Sequence, residues 1–213
     1  MKTTHVVSAV LFLSSVFVGN TWGQAQYTVT GLTFSGTWSS YAYGINNSGQ
    51  VVGEADPNGD SDLSHAFLYS GGTMQDLGTF GGMNSEAYSI NNSGQVAGNF
   101  LGTTGPFNPP VSNTFVHPFI YSGGTMSDLG TVIGSDFGTT SENYSYAHAI
   151  NDNGLVVGQV SNCPATTPYW KAFVYSGGTV TALGTLGGDS SYAYGVNDSG
   201  QIVGSADISN GPV

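Results

Sequence analysis

The sequence contains no arginine and two lysines, Lys2 and Lys171, against 13 acidic residues, so its formal net charge is −11. Proteins bind nucleic acid through Lys and Arg side chains that neutralise phosphates, and this composition therefore excludes nucleic acid as a partner. Anionic membrane surfaces are excluded for the same reason. Crowded carboxylates with so few cations also predict raised carboxyl pKa values in the folded protein.

Cysteine and long apolar runs are also scarce. Cys163 is the single cysteine, so the chain cannot form an internal disulfide. Beside Pro164 it is interpreted as an unused or intermolecularly paired thiol, since a cysteine nucleophile needs a placed histidine. No segment carries a sustained helical period, and no long apolar run follows the N-terminal region. We therefore expect short strands, and no membrane insertion of the mature chain.

Residues 1–25 have the three zones of a secretory signal. Lys2 gives a positive start, Val6–Val18 is a mostly apolar run of 13 residues, and Gly23 and Ala25 supply small residues for cleavage. Such a run is too short to span a bilayer as a helix. A buried N-terminal strand or helix is the alternative. The signal predicts a secreted protein, extracellular or on the cell surface, with residues 26–213 as one β-repeat domain whose last repeat is incomplete.

Two motifs alternate along the chain. The first, Ala-Tyr-Gly-Ile-Asn-Asn-Ser-Gly-Gln-Val-Val-Gly at residues 42–53, returns in variant form at 87–98, 147–158 and 193–204. Its Asn-x-x-Gly segment supplies residues that accept positive φ, as a hairpin turn between two short strands requires. The second motif, His-Ala-Phe-Leu-Tyr-Ser-Gly-Gly-Thr-Met-Gln-Asp-Leu-Gly-Thr, occurs at residues 65–79, 117–131 and 171–185, and its Gly-Gly pair predicts a second hairpin. The invariant positions, read as a structural repeat signature, are Asn46, Gly49, Asn91, Gly94, Asn151, Gly154, Asn197, Gly200, Phe67, Phe119 and Phe173.

Two such hairpins make a four-stranded antiparallel sheet of about 50 residues, the size of a propeller blade. We therefore predict an all-β, propeller-like array of such blades, with about 3.5 repeats. Because propellers typically have four or more blades, we expect a truncated chain or an array that is not closed. Longer spacing between the second and third copies of the first motif comes from insertions at residues 99–116 and 134–144, which are expected to form loops on one rim.

The motif at residues 42–53, with His65-Ala66-Phe67 and Asp-Leu-Gly-Thr, resembles the HAF family of bacterial extracellular repeats, which is named for that triplet. The resemblance covers nearly all of residues 27–207. It implies an exported bacterial protein with a β-propeller-like fold, and it implies no activity. The triplet changes to His117-Pro118-Phe119 and to Lys171-Ala172-Phe173, so its histidine is not expected to be essential.

Five tyrosines precede the Asn-rich turns and form the candidate ligand-binding set. Rings stacked around an axis give a sugar-binding platform, because each presents a flat apolar face and a polar tip. The alternative is that the rings only pack one blade against the next. His148 occupies a tyrosine position in the third copy and is interpreted as an aromatic substitute. The five are Tyr41, Tyr43, Tyr146, Tyr192 and Tyr194.

Calcium is the one cofactor that the sequence suggests. Asp56, Asn58, Asp60 and Asp62 carry oxygen ligands at alternate positions, as calcium loops do. The glycine of this stretch comes fourth rather than sixth, and no glutamate closes the loop, so a plain polar turn is the other interpretation.

No nucleophile, dinucleotide or zinc-protease motif occurs in the sequence, so we expect a protein without enzymatic activity. Our hypothesis is a secreted, non-catalytic β-repeat protein that acts as an extracellular binding or surface scaffold module, with a glycan or a surface protein as partner. The alternative is a carbohydrate-active propeller that binds or cleaves glycans, with carboxylates drawn from Glu54, Glu86 and Glu142.

Overall fold

Antiparallel hairpins make up nearly all of the described chain. The computed structural model describes residues 9–14, 26–32, 34, 39–57, 63–103, 114–137, 144–161 and 169–209. The first sheet contains β3 (Ser40–Ile45), β4 (Val51–Ala55), β5 (His65–Ser70) and β6 (Thr73–Gly78). The second contains β7 (Asn84–Ile90), β8 (Val96–Thr103), β9 (Thr114–Ser122) and β10 (Thr125–Asp128). The third contains β11 (Ser145–Ile150), β12 (Val156–Ser161), β13 (Trp170–Ser176) and β14 (Thr179–Ala182).

Two shorter sheets and one helix complete the described structure. β1 (Ala9–Ser14) pairs with β2 (Gln26–Gly31), and β15 (Gly187–Val196) pairs with β16 (Ile202–Ile208). The helix α1 (Gly130–Phe137) follows β10. In each four-stranded sheet, strands that are consecutive in sequence lie side by side. The predicted all-β class and the sheets of four antiparallel strands are therefore confirmed.

The turns have the geometry that their sequences predict. The glycine that ends each Asn-x-x-Gly segment has a φ between 73° and 77° in all four copies. In the second kind of hairpin, Gly71 and Gly72 have φ values of 58° and 88°, the backbone of a two-residue turn that residues with a side chain adopt only with strain. Such turns match the twist of the strands that they join, and they set the register of each sheet.

Successive sheets pack face to face. β7 lies against β3, β4 and β5, and β11 and β15 lie in the same way against the sheets that precede them. Between the first two sheets, Val52 and Leu68 of the first contact Ile90, Phe100 and Phe119 of the second in one buried cluster. A hairpin of alternating polar and apolar residues has one apolar face, and each sheet buries that face against the neighbouring sheet.

A buried serine joins each repeat to the one before it. Ser85, at the start of β7, donates its hydroxyl to the Gly78 carbonyl at 2.6 Å and accepts the Ala66 N–H at 2.8 Å. Ser191 accepts the Ala172 N–H in the same way. Because the hydroxyl satisfies backbone groups at a sheet end, it replaces the ladder bonds that those groups lack. These serines lie outside the predicted repeat signature; they are Ser40, Ser85, Ser145 and Ser191.

The described ends of both insertions form a strand or a helix rather than the expected loops, and residues 104–113 and 138–143 lie outside the described residues. Residues 99–103 extend β8 and residues 114–116 extend β9, with Thr103 paired to Thr114. The second insertion overlaps α1, which the sequence analysis did not predict. Thr131, Val132 and Ile133 are β-branched and Gly130 is a poor helix former, so local propensity argues against this helix. Burial of Ile133 in the core beside the third sheet outweighs that propensity.

The predicted secretory signal falls mostly outside the described residues. Within it, the structure places the strand β1, so the signal stays a prediction and the N-terminal strand remains the alternative. In the described part of the chain, the structure has no helix with the length and apolar character needed to cross a membrane.

The close approach of Gly98 to the neighbouring strand gives a test of the packing. A Cβ atom on Gly98 would overlap the Glu86 carbonyl oxygen and lie 2.6 Å from the Phe119 ring. We expect Gly98→Ala to lower the free energy of unfolding by about 1–3 kcal/mol, the usual cost of overpacking. In Gly195→Ala the added methyl group meets its nearest neighbour, Val203, at 3.3 Å. That control should unfold near the wild-type midpoint in a denaturant titration, and equal losses in both variants would contradict the packing.

Candidate functional site

An asparagine in each of the first three Asn-rich turns bonds to the next repeat. The Asn46 side chain accepts the Ser48 and Gln50 N–H groups at 3.0 Å, which closes its own turn. Its amide nitrogen donates to the Asn91 carbonyl oxygen at 3.0 Å. Asn91 donates in turn to Asn151 at 2.9 Å, and Asn151 donates to Asn197 at 2.7 Å. These four residues form what we call the amide ladder, which runs across all four repeats.

The following residue of each turn forms a second line of bonds. The side chain of Asn92 accepts the Asn47 N–H at 2.9 Å, and that of Asp198 accepts the Asp152 N–H at 2.9 Å. Asp152 accepts both the backbone N–H and the side-chain amide of Asn92, which lowers the pKa of its exposed carboxyl. This shift is opposite to the raised carboxyl pKa that the net charge predicts, because local hydrogen bonds favour the charged form.

The four turns surround one depression. Its volume is about 250 Å³, and it is lined by an Ile or Val, the ladder asparagine and the following Asn or Asp of each repeat. In the first two repeats, both amide hydrogens of Asn46 and Asn91, and the oxygen of each, are already engaged within the protein. The depression therefore offers few free donors, and we assign the amide ladder to holding the repeats in register.

Each first strand carries a β-bulge at the same motif position. In the first sheet, Ala42 pairs with Gly53 and Gly44 with Val52, so no residue of β4 stands opposite Tyr43 in the register. The other first strands skip one residue at the equivalent place. A bulge turns its extra side chain out of the normal alternation and is frequent beside binding sites. The bulged residues are Tyr43, Tyr88, His148 and Tyr194.

Aromatic rings meet across the junctions between sheets. Tyr43 and Tyr88 stack with ring centroids 5.3 Å apart, and His148 contacts Tyr194 at 5.8 Å. Trp170 connects the third sheet to the β15–β16 sheet, which we call the fourth sheet, because its ring lies 5.8 Å from Tyr146 and 6.4 Å from Tyr192. The outermost rings keep much of their surface in solvent, with Tyr43 45% and Tyr194 53% exposed. We call this set the aromatic band; its members are Tyr43, Tyr88, Tyr146, His148, Trp170, Tyr192 and Tyr194.

A polar side chain holds the tip of each bulged ring. Tyr43 donates its hydroxyl to Glu54 at 2.5 Å, and Tyr88 donates to Glu86. In the later repeats uncharged groups take this part: Gln159 bonds to His148 at 3.1 Å, and Ser205 lies 3.3 Å from the Tyr194 hydroxyl. The rings are thus fixed at their polar ends; Tyr43 and Tyr88 stack face to face across their junction, and His148 and Tyr194 meet edge to face.

The two glutamates act on both tyrosines of the first junction. The pKa values of the Tyr43 and Tyr88 hydroxyls lie well above the ordinary tyrosine value of 10.0. Burial is the largest cause, followed by the hydrogen bond to a carboxylate and by the negative charge of both Glu54 and Glu86. Burial raises the pKa of Tyr146 as well, with smaller contributions from Tyr144 and from the negative charge of Glu86.

The candidate tyrosines divide between the two ends of the aromatic band. Tyr43 lies at the first junction, and Tyr146, Tyr192 and Tyr194 meet near the third and fourth sheets. Tyr41 is exposed on β3, and its charge makes the smallest of the contributions that raise the pKa of Tyr43. The candidate set omitted Tyr88, His148 and Trp170. Tyr88 and His148 occupy the bulge position of the motif and are therefore identifiable from the repeat alignment, whereas Trp170 has no counterpart in the other repeats.

The two described histidines of the triplet motif each pair with a carboxylate on the adjacent strand of their own sheet. His65 lies 2.8 Å from the Asp76 carboxylate and His117 lies 3.2 Å from that of Asp128, while Lys171 donates to the Asp189 carbonyl at 2.8 Å. The two histidine pairs join adjacent strands of one sheet, and the Lys171 contact joins the third sheet to β15. Across the described ranges, no cluster of three or more His, Cys, Asp or Glu residues is placed to hold a metal ion.

The predicted calcium loop is only partly described. Asp56 is buried at the end of β4, and Asn58, Asp60 and Asp62 lie outside the described residues. Calcium binding there stays a prediction, as does the polar turn. Glu142 and Cys163 also lie outside the described residues.

Comparisons with models of protein families, with curated proteins and with solved structures find no match for this chain. The stacked sheets, the amide ladder and the aromatic band are therefore the observations on which a function can be based.

Removing one side chain from the amide ladder tests its structural role. Asn91→Ala deletes the acceptor of the Ser93 and Gln95 N–H groups and the donor to Asn151. We expect a loss of about 2–4 kcal/mol in the free energy of unfolding, because the buried bond to the Asn151 carbonyl and the two half-buried turn bonds are lost together. Ser93→Ala, in the same turn and exposed, is the control and should stay within about 0.5 kcal/mol of wild type. Equal stability of the two variants in urea titrations would show that the amide ladder does not hold the repeats.

The raised tyrosine pKa values predict a loss of stability in alkali. Because the folded pKa of Tyr43 and Tyr88 exceeds the unfolded value of 10.0, their contribution is fully present below that pH. It is lost as the pH rises above 10.0. In a pH titration, we expect the Tyr43→Phe, Tyr88→Phe variant to show less tyrosinate absorbance than wild type only at the most alkaline pH values. Its melting temperature should fall less steeply with rising pH than that of wild type. A difference in absorbance between variant and wild type that begins near the ordinary tyrosine pKa would contradict this prediction.

Proposed function

We propose that the protein is an exported, non-catalytic β-repeat module that binds an extracellular glycan along the aromatic band. The observation that carries the proposal is the recurrence of the bulge, which sets one ring from each of four repeats along successive sheet junctions. Flat rings with fixed polar tips suit sugars, whose faces are apolar and whose edges carry hydroxyl groups. The resemblance to HAF repeats and the predicted secretory signal support an extracellular place and a propeller-like arrangement of the sheets.

The position of the rings favours binding over a role in packing alone. Rings that serve only the core are fully covered, as Phe67, Phe119 and Phe173 are. Tyr43 and Tyr194 instead leave about half of their surface in solvent although each touches a ring of the neighbouring sheet. The amide ladder fixes the spacing of the repeats and so prepares the rings before a ligand arrives, which lowers the entropic cost of binding.

A glycan-cleaving protein is the second candidate. It is favoured by Glu54 and Glu86, which the stacked Tyr43 and Tyr88 bring to one junction. Paired carboxylates are the groups that hydrolyse glycosidic bonds. A reducing-end assay on each bound polysaccharide separates the two functions, because a binding module releases no product.

Pull-down of the protein on insoluble polysaccharides, chitin and cellulose among them, tests the binding proposal. We expect Tyr43→Ala and Tyr194→Ala each to weaken binding roughly two- to tenfold, as the loss of one stacked ring worth about 0.5–1.5 kcal/mol implies. Tyr169→Ala is the control, since Tyr169 is exposed but lies outside the aromatic band. Unchanged binding in the first two variants, or an equal loss in the control, would contradict the proposal.

A further inference from the structure

We propose that the junction between the first two sheets binds an organic cation, and that the cation is the primary ammonium group of an amino-sugar polymer. The inference rests on the proposed function, because the same aromatic band would carry the sugar rings. It adds the charge of the ligand and the residues that select it. The site consists of Tyr43, Tyr88, Glu54 and Glu86, and we call it the acidic junction.

The acidic junction combines two features that attract a cation. Its tyrosine rings stack at 5.3 Å with an interplanar angle of 24°, and Tyr43 is 45% exposed. Ring faces attract ammonium groups through their quadrupole. The hydroxyl of Tyr43 is donated to Glu54 and that of Tyr88 to Glu86, so two half-buried carboxylates lie at the ring edges. An ammonium group donates three hydrogen bonds and matches acceptors of this kind.

The other repeats show that holding a bulged ring does not require a carboxylate. At the position of Glu54, the third sheet has Gln159 and the fourth has Ser205, and both reach the polar tip of their bulged ring. At the position of Glu86, the other copies have tyrosine. Two negative charges at the first junction therefore exceed what the fold needs, although like charges near one another cost free energy. A ligand that neutralises them accounts for their presence.

Among the described residues, no lysine or arginine lies at this junction. Lys2 lies within the predicted signal, and Lys171 is in the third sheet, where its ammonium group donates to the Asp189 carbonyl and lies 5.1 Å from the Tyr169 ring centroid. That second contact shows the same pairing of an ammonium with a tyrosine face inside this protein. With no arginine and a net charge of −11, the protein attracts a polycation at long range as well.

Calorimetric titration with an oligomer of glucosamine and with its N-acetylated counterpart tests the inference. The two probes share their sugar rings and differ in the ammonium group. We expect the wild-type protein to bind the amine form at least about tenfold more tightly, with a preference that shrinks as salt is added. Glu54→Gln, Glu86→Gln should abolish that preference, so that the affinity for the amine form falls to that for the acetylated oligomer.

Asp189→Asn, Asp207→Asn is the matched control, because it removes the same charge from exposed carboxylates on β15 and β16. It should keep the preference. If the double glutamine variant does not fold, Glu54→Gln alone carries the test, since Gln159 already fills that position in the third sheet. A preference that survives in the glutamine variant, or falls equally in the control, overturns the inference. Equal wild-type binding of both probes overturns it and leaves the proposed function standing, whereas binding of neither overturns both.

Discussion

The hydrogen bond from each of the first three turn asparagines to the next repeat is the interaction on which this structure depends. One side chain closes its own hairpin and ties it to a neighbour, so the local turn and the long-range stacking are set by the same amide. A buried amide that leaves a donor or acceptor unused costs as much as a lost core contact. Since every atom of Asn46 and Asn91 that can bond does so, the spacing of the sheets has little freedom.

The buried serines and the large rings of the core complete this arrangement. Ser85 joins the entry of one sheet to the exit of the previous one, and Phe119 lies over Gly98 where no side chain is in its way. Polar bonds therefore set the register, and apolar burial between sheets supplies the stability. A chain with one cysteine and two lysines can form no internal disulfide and few ion pairs. Its composition therefore leaves hydrogen bonds to set the register and apolar burial to supply the stability.

Most of the fold is predictable from the sequence because the same two motifs occur several times. Alternating residues around Asn-x-x-Gly and Gly-Gly turns predict hairpins, and repetition removes the ambiguity of any single copy. The helix α1 was missed because its residues disfavour a helix locally, and only the burial of Ile133 against another sheet explains it. For the site, the motif identifies the bulged positions. It cannot show that Glu86 reaches Tyr88 in its own strand, or that Trp170 joins two sheets, because those contacts depend on packing between distant residues.

The bulges have an evolutionary consequence. A residue such as Tyr43 has no residue opposite it in the register of the neighbouring strand, so a replacement there breaks no ladder bond and leaves the hairpin register intact. Tyrosine gives way to histidine at residue 148 without any change in the surrounding pairing. The chain thus separates its scaffold from its variable positions, much as loops do in other folds, but it keeps those positions on rigid strands. New specificities can arise one repeat at a time by point mutation.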